Sequence, residues 1–162
     1  MKNRLFIING EILEPAKAMV SVDDYGLMRG YAVFETIRFE NRSPRNLDNH
    51  LARLFKALEF IRINSEKITK ERIKSDIDKI IDINSLDSGL IKVIITRGNM
   101  NVEKNSDLSP NIYLKIKEMY SIPTSPVRVV FYDETKYPIL RFNPAIKSIN
   151  YLGNMMAIED AN

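Results

Sequence analysis

The chain of 162 residues reads as an α+β protein on three observations. Short apolar runs of strand character open and close its first 120 residues, two amphipathic helical stripes lie between them, and a Ser/Pro-rich tract at 121–126 precedes a fresh start of apolar patterning. The expected organisation is a small N-terminal α/β sandwich domain over residues 1–120, a linker over 121–126, and the beginning of a second, incomplete domain over 127–162.

The first pair of strands is predicted at 5–8 and 11–13, because they flank Asn9-Gly10 and that dipeptide readily takes the positive φ angles of a two-residue hairpin turn. A third strand is expected at 32–39, followed by a polar turn at 40–44. Leu51, Leu54, Phe55 and Leu58 then recur at helical spacing and mark one buried stripe on a helix of about three turns. A second helix follows, with Thr69 as N-cap, Glu71 at the positive helix end, Ile73, Ile77, Ile80 and Ile81 on one face, and Asn84 as its stop. Strands are predicted again at 90–96 and 112–117. The polar segment 98–110 between them is long enough to be either a functional or a mobile loop. Beyond the linker, 127–132 reads as a strand and 150–162 as a helix, which ends on Glu159-Asp160 without a Gly cap or a basic last turn. The residues after Pro126 are too few to close a core of their own, so the chain is expected to be interrupted.

Composition narrows the chemistry. With 44% hydrophobic and 28% charged residues the chain belongs with soluble globular proteins. Twenty-four basic against twenty-one acidic residues leave a net charge of only +3, which gives no basic stripe for nucleic acid and suits a small phosphorylated ligand better. The absence of cysteine excludes disulfides, thiolate catalysis and Cys-ligated metals, and the single histidine, His50, provides no zinc cluster. No apolar run approaches the ~18 residues of a membrane span and none forms a signal-peptide core, so a cytoplasmic location is expected.

The most informative local feature is Ile146-Lys147-Ser148-Ile149-Asn150-Tyr151-Leu152, a lysine between a Pro-broken loop and a helix start. A lysine attacks a carbonyl only when its ammonium is partly deprotonated, and the product is a Schiff base. Local sequence alone describes a solvated surface lysine equally well. The wider pattern carries more. Asp24-Tyr25-Gly26-Leu27-Met28-Arg29-Gly30-Tyr31-Ala32-Val33-Phe34-Glu35-Thr36-Ile37-Arg38, Asn49-His50-Leu51-Ala52-Arg53-Leu54, Ile95-Thr96-Arg97-Gly98 and the Lys147 segment through Ala157 follow one another in order over essentially the whole chain. In order and spacing they resemble the class IV pyridoxal-phosphate-dependent aminotransferases, which include branched-chain and D-amino-acid aminotransferases and aminodeoxychorismate lyase.

The resemblance implies a D-amino-acid aminotransferase-like fold and pyridoxal 5′-phosphate as cofactor. It implies that Lys147 is the catalytic residue, forming a Schiff base with the cofactor and shuttling a proton at the substrate Cα. Tyr151 matches the tyrosine that hydrogen-bonds the cofactor's phenolic oxygen, and Arg53 the arginine that binds its phosphate, a task suited to the guanidinium fork. On a helical wheel alone Arg53 lies opposite the Leu51/Leu54/Leu58 stripe and reads as a solvated residue. His50, one turn earlier, reads either as an exposed or capping histidine or as a supporting member of the site.

Substrate carboxylates need a cation, for which the candidates are Arg38, Arg97 and Arg29. Arg97-Gly98 resembles the carboxylate-binding arginine of D-amino-acid aminotransferases, but Phe34 and Asn99 stand where that subgroup carries tyrosine and histidine. Val33-Phe34-Glu35-Thr36-Ile37-Arg38 is closer to the branched-chain subgroup, where the aromatic residue lines an apolar substrate pocket, although Thr36 replaces its usual glycine. The implied activity is amino-group transfer between an amino acid, branched-chain or another apolar L-amino acid, and a 2-oxo acid, with homodimer assembly. The alternatives are aminodeoxychorismate lyase and a non-catalytic remnant acting as a dimerisation module. In this family the carboxylate that meets the pyridine nitrogen and the turns that complete the phosphate cup lie beyond the lysine helix, hence beyond Asn162.

Overall fold

The computed structural model describes residues 4–100, 109–121, 124–126, 129–131 and 146–161. Its framework is one six-stranded sheet, entirely antiparallel, with strand order β2-β1-β6-β5-β3-β4. The strands are β1 (Phe6–Ile8), β2 (Glu11–Leu13), β3 (Ala32–Glu40), β4 (Ser43–Pro44), β5 (Gly89–Thr96) and β6 (Ile112–Glu118). Helices α2 (Leu47–Phe60) and α3 (Lys70–Asn84) pack on one face of the sheet and give the expected sandwich, while α1 (Tyr25–Arg29) and α4 (Leu152–Ala161) precede β3 and follow the lysine segment. The hairpin turn is the one Asn9-Gly10 predicts, with φ of 53° and 90°.

Alternation along the strands builds the core. Val33, Ile37 and Phe39 of β3, Ile91, Val93 and Ile95 of β5, and Leu114 and Ile116 of β6 meet Leu51, Leu54 and Leu58 of α2 and Ile73, Ile77 and Ile80 of α3. The opposite sheet face carries the register rows Phe34, Ile94, Tyr113 and Thr36, Lys92, Lys115. Thr69 caps α3 as expected, its side chain accepting from Arg72 N. Asn84 ends that helix, and Ser85 provides the left-handed turn beyond it. The Asn84 amide joins the helix to the first strand by accepting from Leu5 N at 2.9 Å and donating to Leu5 O at 3.1 Å.

The one-turn helix α1 has no apolar period and goes unseen in sequence; a buried carboxylate holds it in place. Asp24 accepts from Gly26 N at 2.6 Å as its N-cap, and from the Thr96 hydroxyl, the Asn111 amide and the Tyr113 hydroxyl, each at 2.8 Å. Burial, then the hydrogen bond to Asp24, pushes the Tyr113 phenol above its ordinary range. Of the strand expected at 127–132, residues 127, 128 and 132 lie outside the described residues, and Val129, Val130 and Phe131 are exposed and pair with no strand among the described residues. Most of the 98–110 loop, at 101–108, also lies outside the described residues, as do Ile122 and Pro123 of the linker.

Asp76 is the weak point of the core. It is buried on α3, its Oδ2 has no hydrogen-bond partner among the described residues, and burial raises its pKa against the pull of Arg72 and Lys79. A carboxyl whose folded pKa is raised costs stability increasingly as pH climbs from the ordinary carboxylate value through the raised one, and the loss is complete above it. Asp76→Asn is therefore expected to be more stable at neutral pH by about 1 kcal/mol, or about 2–4 °C in Tm for a chain of this length, and to lose the advantage in acid. Thermal melts of both proteins from acidic to neutral pH check the sign and the magnitude.

Candidate active site

The lysine segment lies along the outer edge of β3. Phe34 N donates to Lys147 O at 2.9 Å, Ile149 N to Ala32 O at 3.3 Å, and Val33 and Ser148 form an antiparallel bridge. The Lys147 backbone is thereby fixed to a core strand. Nearby, Gly30 closes α1 at φ +63°, a left-handed conformation that favours glycine, and a Cβ there would lie 2.0 Å from Asn150 Oδ1 and force that side chain to move.

The Lys147 ammonium sits 4.5 Å from the centroid of the Phe34 ring, and its Nζ is 3.4 Å from the Tyr151 hydroxyl one turn along. Phe34 and Tyr151 meet edge to face at 5.5 Å. A second ammonium, that of Lys92, lies 4.1 Å over the same Phe34 ring. Burial first, then the charges of Lys115, Lys147 and Lys117, lower the Lys92 pKa. Sequence reasoning missed Lys92, although a lone lysine inside the apolar run Leu90-Ile91-Lys92-Val93-Ile94 was the available signal.

A second cluster borders the same edge from the helix side. Glu35 occupies the inward row between Val33 and Ile37, with a side chain 1% exposed. Its Oε1 accepts from Arg53 Nε at 2.5 Å and its Oε2 from Arg53 Nη2 at 2.6 Å, while His50 Nδ1 lies 2.9 Å from Oε2. Burial raises the Glu35 pKa, but the hydrogen bonds and charges of Arg53 and His50 outweigh it and hold the carboxyl below its ordinary value. An ionised carboxylate only accepts, which places the His50 proton on Nδ1. Arg53 is thus far from a bystander on the solvated face. Glu35 was also missed, and its signal was a charge at an inward position of an alternating strand.

The substrate-arginine candidates are set apart. Arg97 stacks on Tyr31, 4.9 Å from the ring centroid, and donates from Nη1 to the Tyr31 hydroxyl at 2.8 Å, just past the Ala32–Thr96 end of the β3–β5 ladder. Arg38 pairs with Glu40, which also accepts from Arg45, and stands four residues from Phe34, about 13 Å along an extended strand. Arg29 is exposed and donates to Met28 O at 3.4 Å. The structure therefore brings together Lys147, Tyr151 and Phe34, sets Arg53 with Glu35 and His50 across the strand, and holds Arg38 at the far end. No group of three or more His, Cys, Asp or Glu residues able to hold a metal ion occurs among the described residues.

An amine, a phenol and an aromatic ring on one strand edge, with a guanidinium across it, occur here in the chain order of a known family, and residues 32–162 match that family, described as amino-transferase class IV. The chain belongs to the class IV aminotransferase family. It is 28% identical to the D-alanine aminotransferase of Bacillus licheniformis, over 96% of this chain and 55% of the relative. It is 28% identical to the aminodeoxychorismate lyase of Bacillus subtilis, over 94% of this chain and 53% of the relative. A Methanocaldococcus jannaschii protein named as a candidate branched-chain-amino-acid aminotransferase is 29% identical over 96% of this chain and 54% of its own length. The fold matches the branched-chain aminotransferase of Thermoproteus uzoniensis with a TM-score of 0.77 and 18% identity, covering 98% of this chain and 56% of that one. The chain thus spans about half the length of the curated relatives it matches. No helix among the described residues is long and apolar enough to cross a membrane.

The Glu35–Arg53 pair makes a stability test possible. Removing one partner of a fully buried pair costs about 3–5 kcal/mol, and half-solvated Arg53 with His50 remaining reduces this to roughly 1–3 kcal/mol for Arg53→Ala. Adding Glu35→Gln removes the stranded charge, so the double variant is expected to melt above Arg53→Ala. Denaturant midpoints of the two variants and the parent measure both effects.

Proposed function

We propose that this chain is the lysine-bearing portion of a pyridoxal-phosphate-dependent aminotransferase, with Lys147 as the reacting amine. The observation that carries the reading is the Lys147 amine itself: its backbone is fixed on β3, its Nζ lies beside the Tyr151 hydroxyl, and the Phe34 ring lies under it. The donor set fits the cofactor. A primary amine suits its aldehyde, a phenol suits its phenolic oxygen, and a half-exposed guanidinium suits its phosphate. Pyridoxal phosphate, when bound, supplies the aldehyde and an electron-withdrawing ring conjugated to the substrate Cα.

The chain's own groups do the rest. Lys147 Nζ, once neutral and free, takes the proton from the substrate Cα and returns it as the acid. Tyr151 orients the ring, Phe34 lines the substrate side and sheds water from it, and Arg53 holds the phosphate. Arg97 is the better placed cation for the substrate carboxylate, since Arg38 is already engaged by Glu40. The apolar Phe34 and the Methanocaldococcus jannaschii relative favour a branched-chain or other apolar L-amino acid as donor, with a 2-oxo acid as acceptor. The Bacillus subtilis relative keeps the lyase as the second reading, since the same amine serves both. A homodimer in the cytoplasm, with a first domain over 1–120 and a second beginning after the 121–126 linker, completes the proposal.

Borohydride reduction in the presence of pyridoxal phosphate, followed by peptide mass mapping, is expected to leave the adduct on Lys147 and none on Lys92. An adduct on Lys92 alone would falsify the assignment. In the protein assayed with leucine and 2-oxoglutarate, glutamate formation supports the aminotransferase, whereas pyruvate release from aminodeoxychorismate without glutamate formation selects the lyase.

A further inference from the structure

A buried carboxylate between Val33 and Ile37 needs a reason. An apolar residue in that row would pack against α2 without a desolvation cost, and replacing a buried ion pair by apolar side chains is often neutral or stabilising. Stability alone therefore does not account for Glu35. The geometry of its contacts does. The carboxylate engages Arg53 through the Nε and Nη2 edge of the guanidinium, at 2.5 and 2.6 Å, which leaves both Nη1 donors and the second Nη2 donor unused by Glu35. Exposure follows the same division: the Glu35 side chain is 1% exposed and that of Arg53 50%, so the contact is sealed on the carboxylate side and open on the arginine side. His50 contributes a further hydrogen bond to Glu35 Oε2 from the same helix and keeps the acceptor in place.

We propose that Glu35 is a positioning residue for anion binding: it clamps one edge of Arg53 so that the other edge is held outward as a preset receptor for a phosphate monoester. A free arginine side chain loses rotamer entropy when it binds an anion, and a guanidinium already held by a carboxylate has lost it on folding. The inference rests on the pyridoxal phosphate reading above, in which Arg53 meets the phosphate arm, and it adds the residue that acts through Arg53.

The test compares pyridoxal phosphate with pyridoxal, which lacks the phosphate, by absorbance titration of the chain beside thermal melts. The unmutated protein should prefer the phosphorylated form. Arg53→Lys and Glu35→Gln should each lower the ratio of the two affinities by about tenfold, the scale of one lost charge-assisted contact, and the double variant should lose no more than either single one. No preference in the unmutated chain overturns the phosphate reading of Arg53 and the Glu35 role with it. A preference abolished by Arg53→Lys but intact in Glu35→Gln overturns the Glu35 role alone. Should Glu35→Gln not fold, NMR of the Arg53 side chain in the unmutated protein decides. On addition of inorganic phosphate, a protected Nε–H that stays in place while the Nη signals shift supports the clamp, and loss of that protection, with Arg53 pulled from Glu35, overturns it.

Discussion

Every side chain assigned to the site depends on the register of β3 against β5. The ladder runs unbroken from Ala32–Thr96 to Phe39–Gly89, and because strand side chains alternate faces, a slip of one residue would exchange Glu35 for Phe34. The slip would bury an aromatic ring where Arg53 waits and put a carboxylate beside two lysines. Several features pin the ladder. Val33, Ile37 and Phe39 fill the helix side, and at the far end Gly89 admits the crossing of Lys117 O, which would lie 2.3 Å from any Cβ there. At the near end Asp24 draws Thr96, Asn111 and Tyr113 together, so the ends of β5 and β6 cannot shift independently of the turn that leads into β3.

Strand β3 then serves two environments at once. Its inner row belongs to the core, and its single charge there is balanced by two donors from α2 that follow the same helix as the buried Leu51 and Leu54. Its outer row and free edge belong to the lysine segment. Since Phe34 and Glu35 are neighbours in sequence, the amine cluster and the guanidinium cluster are joined through one stretch of backbone that is hydrogen-bonded on both sides near Phe34. Groups built on a core strand inherit the rigidity of the core, which is what the proposed role of Lys147 needs if the amine's approach to a carbonyl is to be set before the ligand arrives.

What the sequence made legible is whatever depends on local period or local turn chemistry. Asn9-Gly10, the leucine stripe of α2, the isoleucine stripe of α3 and the Thr69 cap each carry their own signal, and all appear where expected. The five residues of α1 show no period, and Asp24 looks like any turn aspartate until Tyr113, far along the chain, reaches it. Arg53 shows the limit most clearly. A helical wheel knows only its own helix, and the residue that turns Arg53 from a solvated cation into a clamped one lies eighteen positions earlier, on a strand. Arg38 is the reverse case: Glu40 lies two positions on and hence on the same strand face, so its engagement was readable from the period of two.

Two lysines lie over one phenyl ring, and the proposal that Lys147 is the reacting amine rests on how differently the two are supported. Lys92 sits in the middle of β5, paired on both sides by β3 and β6, with burial and three neighbouring cations against its charge. No hydroxyl or carboxylate reaches its Nζ among the described residues. Lys147 stands on the sheet edge, bonded to β3 through its own carbonyl, and meets a phenol through Nζ. A group that must bond to one partner, release it and then move a proton needs room to swing and a hydrogen-bond partner to orient it in each position. The proposal that Lys147 is that group draws on the phenol at its Nζ, whereas among the described residues Lys92 meets the Phe34 face and neighbouring cations.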